Sequence, residues 1–236
     1  MAENVVVTNR SNFPYCLHQP EDGFRFGTDA LALLEFASCV KLPSPGKIVD
    51  IGCGCGVLGL GLLLQYLNHE GIQAIGLDNN PQMLSLATEN ATGLDLPFHA
   101  VNVDIQNSTS IKAIKYAQAK YGFDLAVCNP PWRLIQSGRA PLDHGRKNAM
   151  YGDRTTLYNF ISTADYLLNR NGCLLLVCGA ERLADCMRAL PERLHPVRLR
   201  LVHPRPSVKA VFCLIEARKQ SRAELVTEPP LLLSQN

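Results

Sequence analysis

Val49-Asp50-Ile51-Gly52-Cys53-Gly54-Cys55-Gly56-Val57-Leu58-Gly59 is the stretch on which the fold turns. An apolar, strand-like run ends in glycines alternating with small residues, then passes directly into the helix-like Val57–Leu67. Backbone at such a helix start can approach a ligand closely and offer it unpaired amides. Gly54, Gly56 and Gly59 also satisfy the G-x-G-x-x-G spacing of dinucleotide-binding enzymes, so the glycines by themselves leave the ligand open.

Outward from that stretch, strand and helix signals alternate. Strand-like runs lie at Ile48–Ile51, Gln73–Leu77, Phe98–Val103, Phe123–Cys128, Cys173–Cys178, Val197–His203 and Ala210–Glu216. Helical patterns fall at Val57–Asn68, Pro81–Thr92, Ser110–Lys120, Thr155–Leu168 and Glu181–Leu190, and Thr28 and Asp29 are placed to cap a further helix through Ala30–Cys39. This alternation predicts an α/β fold, a mostly parallel sheet with helices on both faces. The connection Pro204–Lys209 is too short for a parallel crossover, so the last two strands form an antiparallel hairpin at the sheet edge. A ligand crevice then lies at the carboxyl ends of the strands, where Gly52–Gly56, Asp78, Asp104 and Asn129 converge. Asp78 is spaced to accept from the hydroxyls of a ribose, which suits NAD and S-adenosylmethionine equally; Asp104 is placed for an adenine amino group. Each of these acids also reads as a solvated turn residue.

The chemistry is carried by Asn129-Pro130-Pro131-Trp132, just past the fourth strand run. Asn129 offers a side-chain carbonyl, the prolines stiffen the backbone and remove its donors, and Trp132 presents a flat face. Together they suit a planar substrate bearing an NH2 group, which the Asn129 amide oxygen and the Pro130 carbonyl can accept while the indole stacks on the ring. The bland alternative is a proline-stiffened turn beside a core tryptophan.

With both motifs in place, the chain resembles the class I S-adenosylmethionine-dependent methyltransferases. Asp50–Gly56 has their D-x-G-x-G-x-G form, and Asn129–Trp132 their amino-methylating N/D-P-P-Y/F/W motif, with Asp78 and Asp104 between them. Phe24-Arg25-Phe26-Gly27-Thr28-Asp29-Ala30, Leu201-Val202-His203-Pro204 and Glu216-Ala217-Arg218-Lys219 look similar to one branch, the bacterial adenine-N6 methyltransferases acting on valine tRNA. The resemblance covers residues 20 to 231, with two departures: Trp132 where tyrosine is usual, and Ser207 where that branch has glycine. It implies a Rossmann-like methyltransferase sheet with S-adenosylmethionine as cofactor. Gly52, Gly54 and Gly56 would receive its methionine part, Asp78 the ribose and Asp104 the adenine. Asp50 would orient the loop or the methionine ammonium, and Phe26 and Thr28 would close over the cofactor. Asn129, Pro130, Pro131 and Trp132 would form the catalytic motif, and the expected function is methyl transfer to adenine N6 in RNA, with tRNA as partner.

Composition sets the bounds. A chain of 236 residues with 47% hydrophobic content can bury one core as a single domain, with 1–20 as an N-terminal extension and 227–236 as a loosely held tail. Met1–Arg10 lacks a secretory pattern, and the longest apolar segment, Val57–Leu64, falls far short of the roughly 20 residues of a membrane span. Nine cysteines sit mainly in apolar runs and read as buried thiols of a reducing compartment, the cytoplasm. Cys53-Gly54-Cys55 is too closely spaced for a zinc pair, so no metal is expected. A monomer is the expected oligomeric state. The net charge of +2 does not announce a nucleic-acid binder, but its distribution is uneven. Arg133, Arg139, Arg146, Lys147 and Arg154 against Asp143 and Asp153 give +3, and Arg193, Arg198, Arg200, Arg205 and Lys209 give +5 with no acid between Arg193 and Lys209. Both segments, Arg133, Arg139, Arg146, Lys147 and Arg205 above all, are candidates for phosphate contacts around a flipped nucleotide; solvated surface charge is the alternative.

Other readings follow from the same residues. A protein glutamine side chain is likewise a planar NH2 donor, guanine N2 of rRNA is a third amino acceptor, and a non-catalytic cofactor-binding adaptor or an NAD-dependent oxidoreductase would use the glycine loop alone.

Overall fold

The computed structural model describes residues 10–22, 25–117, 122–131 and 154–233. Its strands are β1 (Lys47–Ile51), β2 (Gln73–Asp78), β3 (Phe98–Asn102), β4 (Phe123–Cys128), β5 (Leu168–Gly179), β6 (Leu194–His203), β7 (Phe212–Lys219), β8 (Val226–Thr227) and β9 (Leu231–Leu232). The helices are α1 (Thr28–Ala37), α2 (Val57–Gln65), α3 (Pro81–Leu94), α4 (Ser108–Ala117), α5 (Arg154–Leu167) and α6 (Leu183–Ala189), the last entered through a 3-10 turn at Ala180–Arg182.

Among the described residues, nine strands join one sheet in the order β3-β2-β1-β4-β5-β7-β6-β8, with β9 also pairing with β6. From β3 to β5 every pairing is parallel, and β7 enters antiparallel between β5 and β6. The expected antiparallel hairpin is therefore present. Strand β5 begins at Leu168, five residues before the apolar run at Cys173, because Phe123 of β4 pairs with Leu168 across a bulge that apolarity does not reveal.

Side-chain alternation along the central strands divides the core between the two faces of the sheet. Ile48, Leu125, Val127, Leu175 and Val177 pack in one cluster with α1, α2 and α3. Val49, Ile51, Ala126, Leu174 and Leu176 pack in the other with α5. Strands buried on both sides read as continuous apolar runs, which is why these segments were legible. Helix α3 starts where local chemistry directs it: the Asn80 side chain accepts from the Gln82 amide at 3.0 Å and Pro81 occupies the first turn. Helix α1 starts differently from expectation. Gly27 is its N-cap, and neither Thr28 nor Asp29 caps it; the Asp29 carboxylate is engaged elsewhere.

Two further expectations are corrected at the sheet edge. The tail is not loose from Thr227, since β8 and β9 pair in parallel with β6. Nor are Arg198 and Arg200 of β6, or Arg193 just before it, without acidic partners. Arg198, largely buried, donates to Glu216 at 2.8 Å, to Glu228 at 3.0 Å and to the Phe36 carbonyl at 2.8 Å, and stacks on the Phe36 ring. Arg200 pairs with Glu35 and Glu228, and Arg193 with Asp165. Acids remote in sequence neutralise them. Arg205 and Lys209 remain exposed in the β6–β7 turn, where Ser207 takes a left-handed φ of 65° that explains why glycine suits this position.

Arg198 ties β6 to β7, to the end of α1 and to the tail. Arg198→Ala should destabilise the protein by about 3 kcal/mol, because buried Glu216 loses a charged partner. The urea midpoint measures it, and a loss below about 1 kcal/mol would show that Arg218, the other partner of Glu216, suffices.

Candidate active site

β1 is the centre from which the site is built. It pairs in parallel with β2 and β4, so Ile51 lies level with Leu77 on one side and with Cys128 on the other. The residues that follow these positions, Gly52, Asp78 and Asn129, are thereby brought to one edge. The strand order reverses direction at β1/β4, which is where ligands settle in open α/β sheets.

The glycine loop is held by its backbone. Gly52, Gly54 and Gly56 have φ of 71°, 53° and 89°, which side-chain-bearing residues resist. A Cβ on Gly54 would meet no heavy atom within 4 Å, so this face of the loop opens on space a ligand can fill. The amides of Gly52 and Cys53 donate to the Leu77 carbonyl at 2.7 and 3.0 Å, which pins the loop over the end of β2. Helix α2 follows directly, its axis starting at the loop.

Asp50 lies beneath. It is fully buried, and its Oδ2 accepts from the Gly59 amide at 2.8 Å, locking the end of β1 to the first turn of α2. Gly59 has no room for a side chain there, since a Cβ would stand 2.4 Å from the Phe98 ring. Among the described residues, Oδ1 of Asp50 has no hydrogen-bond partner. Burial raises the carboxyl to about 7; the Gly59 amide pulls it down, and the charge of Asp78 adds a smaller rise. Asp50 thus holds the loop, and a direct contact with the cofactor would need a carboxylate that is fully buried to reach outward.

Asp78, half-buried at the end of β2, divides its oxygens between two amides: Gly54 at 2.9 Å and Asn80 at 2.9 Å. Each oxygen retains a second lone pair, so the carboxylate can still receive the hydroxyls of a ribose. Asp104 is exposed just past β3, with Oδ1 accepting from Gln106 at 2.9 Å. Phe26 is half-buried against the core, and Thr28 is exposed in the first turn of α1. Pro130 and Pro131 follow Asn129 at the end of β4, Pro130 buried and Pro131 half-buried. Trp132, Arg133, Arg139, Arg146 and Lys147 lie outside the described residues. These features fit S-adenosylmethionine: an open, left-handed glycine loop at a helix start, an acid with free lone pairs at the end of β2, and another past β3.

Three contributors escaped the sequence reading. Asp29 accepts from Asn129 Nδ2 at 2.9 Å across 100 residues of sequence. Buried Asn90 of α3 donates to the carbonyls of Cys55 and His18, both at 3.0 Å, stitching the loop to the N-terminal segment. The Phe160 ring of α5 packs where a Gly52 Cβ would stand, 2.8 Å away. A buried asparagine in a helix is a weak signal, and the other two contacts left none. Burial pushes the Cys55 thiol up to about 11 and holds that of Cys53 well above its ordinary value, so neither is a thiolate at neutral pH. Among the described residues no cluster of three or more His, Cys, Asp or Glu could hold a metal ion, and no helix is long and apolar enough to cross a membrane. A broad hollow of about 870 Å³ lies among Gly122, Asp124, Asn169 and Arg218, at the opposite ends of the strands, and shares no residue with the glycine loop.

The methyltransferase small-domain family model matches residues 26–199. A release factor glutamine methyltransferase of Shewanella oneidensis is 28% identical over 170 residues, covering 70% of this chain and 56% of that protein. The tRNA1(Val) (adenine(37)-N6)-methyltransferase of Haemophilus influenzae is 29% identical over 167 residues, covering 70% of this chain and 66% of its own length. The chain thus spans between about half and two thirds of these relatives. Among solved structures, a predicted O-methyltransferase of Agrobacterium tumefaciens superposes with a TM-score of 0.63 at 22% identity, over 85% of this chain and 86% of that one.

The buried Asp50 generates a pH prediction. Its folded pKa of about 7 exceeds the unfolded value of about 3.8, so the stability it contributes is fully present below pH 4 and is lost as pH rises through 7. Asp50→Asn can keep the Gly59 hydrogen bond without the charge. Between pH 5 and 8 the wild type should lose about 2–3 kcal/mol relative to that variant in urea unfolding, and parallel pH profiles would show that Asp50 does not titrate there.

Proposed function

The chain belongs to the methyltransferase small-domain family, and from that premise we propose that it methylates the exocyclic N6 amino group of an adenine in RNA, with tRNA as the RNA. The observation that carries the reading is the register of β1 with β4, which sets Asn129 and Pro130 beside the glycine loop. S-adenosylmethionine is the cofactor, and it supplies a sulfonium methyl already activated for transfer.

The residues of this chain then serve mainly to hold an amino nitrogen in line at near-attack distance. The lone pair of an exocyclic amine is delocalised into its ring. Acceptance of its two hydrogens by the Asn129 amide oxygen and the Pro130 carbonyl favours a pyramidal, more nucleophilic nitrogen. Asn129 does not act as a base, and the proton leaves to water after transfer. By the motif it completes, Trp132 would stack on the base, a contact worth roughly 1–3 kcal/mol in comparable sites. The indole, the similarity of Phe24–Ala30 to the tRNA branch and the relative in Haemophilus support an RNA base. A glutamine carboxamide is the second reading, because the same two acceptors would serve it and the Shewanella relative is named for it. Free thiols throughout the described chain suit a reducing cytoplasm.

Incubation with labelled S-adenosylmethionine and total RNA, followed by nucleoside mass analysis, should yield N6-methyladenosine; label only in protein would favour glutamine, and N2-methylguanosine would favour the third acceptor. Asn129→Ala should lower turnover by about a hundredfold or more, with cofactor affinity held within about twofold. Asp78→Ala should do the reverse, weakening cofactor binding in calorimetry by about tenfold or more. If the segment after Trp132 contacts phosphates, Arg146→Ala with Lys147→Ala should flatten the salt dependence of RNA binding by roughly 1.5 in log-log slope. Parallel slopes would return these charges to plain surface.

A further inference from the structure

The Asn129 carboxamide has two unlike arms, an oxygen that only accepts and a nitrogen that only donates. Methyl transfer to an amino group needs the oxygen toward the substrate, since an inward NH2 would face another NH2. Nothing in the carboxamide itself chooses between the two orientations, which have nearly the same shape. Asp29 chooses. Its Oδ2 accepts from Asn129 Nδ2 at 2.9 Å, and Asp29 is 7% exposed while Asn129 is half-buried, so little water competes at the carboxylate. A carboxylate has no hydrogen to offer the amide oxygen, so turning the amide over would set oxygen against oxygen.

The surroundings hold Asp29 in place. It stands in the first turn of α1, where the helix dipole favours a negative charge. Gly27 precedes it, and a Cβ there would lie 2.8 Å from Asp29 Oδ1, so the absence of a side chain at Gly27 admits the carboxylate. We propose that Asp29 is a positioning residue: it commits the Asn129 nitrogen and leaves the amide oxygen as the acceptor for the substrate amine. A charged partner also polarises the amide, strengthening that oxygen as an acceptor. This rests on the amino-group reading of the site, for adenine or another planar amine.

The test is an exchange of the pair. Asp29→Ala should lower kcat by about tenfold to a hundredfold, the scale of a misplaced reacting geometry, while cofactor affinity stays within about twofold. Asp29→Asn should fall between the wild type and Asp29→Ala, because its oxygen can still accept from Asn129 but its own NH2 can also donate to the Asn129 oxygen and turn it from the substrate. Asn129→Asp alone should be poorly active, with two carboxylates facing each other. Asp29→Asn combined with Asn129→Asp should recover at least tenfold over Asn129→Asp, since donor and acceptor trade places and an oxygen still faces the substrate. Turnover of Asp29→Ala within twofold of wild type, or a double variant no better than Asn129→Asp, would overturn the proposal. Independently of any substrate, the Asn129 side-chain amide protons, identified in NMR spectra by their loss in Asn129→Ala, should be protected from exchange in the wild type and not in Asp29→Ala. Equal exchange would overturn the lock. An inactive wild type that keeps this protection would instead overturn the assigned substrate.

Discussion

The parallel pairing of β1 with a strand on each side is the constraint on which the site depends. It places Ile51, Leu77 and Cys128 at one level, and the chain must then leave the sheet at Gly52, Asp78 and Asn129 together. Because both faces of β1 are buried, a register slip of one residue would turn Val49 and Ile51 out of one cluster and force Asp50 into it. The apolar core therefore sets the relative positions of the polar groups at the strand ends.

Electrostatics are arranged around that frame in two ways. Near the site the charges are few and each meets a defined partner, Asp50 the Gly59 amide, Asp78 the amides of Gly54 and Asn80, and Asp29 the side chain of Asn129. At the far edge Arg198 gathers β6, β7, the end of α1 and the tail through Glu216, Glu228 and the Phe36 carbonyl. The same helix α1 thus carries the Asn129 partner at its start and meets the Arg198 hub at its end. An edge that looked like a basic nucleic-acid surface is largely an internal brace, with Arg205 and Lys209 left exposed at its turn.

The long elements were legible because their signals are local. Strands buried on both faces appear as unbroken apolar runs, the glycine loop needs glycines wherever φ is positive, and Asn80-Pro81 announces a helix start. Boundaries were less legible where pairing partners decide them, as at Leu168, or where a neighbouring residue takes a cap's place, as Gly27 does before Thr28 and Asp29. The tail shows the same limit, for two-residue strands such as β8 and β9 have no periodicity to read.

The sequence by itself determined the alternating fold, the antiparallel C-terminal hairpin, the positive-φ loop and the asparagine-proline pair that follows β4, since each rests on residue types and short spacings; that β8 and β9 cover the hairpin's outer strand it did not determine. Only the tertiary structure decided that Asp50 is a buried brace, that Arg193, Arg198 and Arg200 meet acidic partners, and that Asp29 faces Asn129. The reason is physical: a carboxylate's role is set by its burial and by the groups within a few ångströms of it, and those groups are supplied by strands and helices up to 100 residues away in the chain.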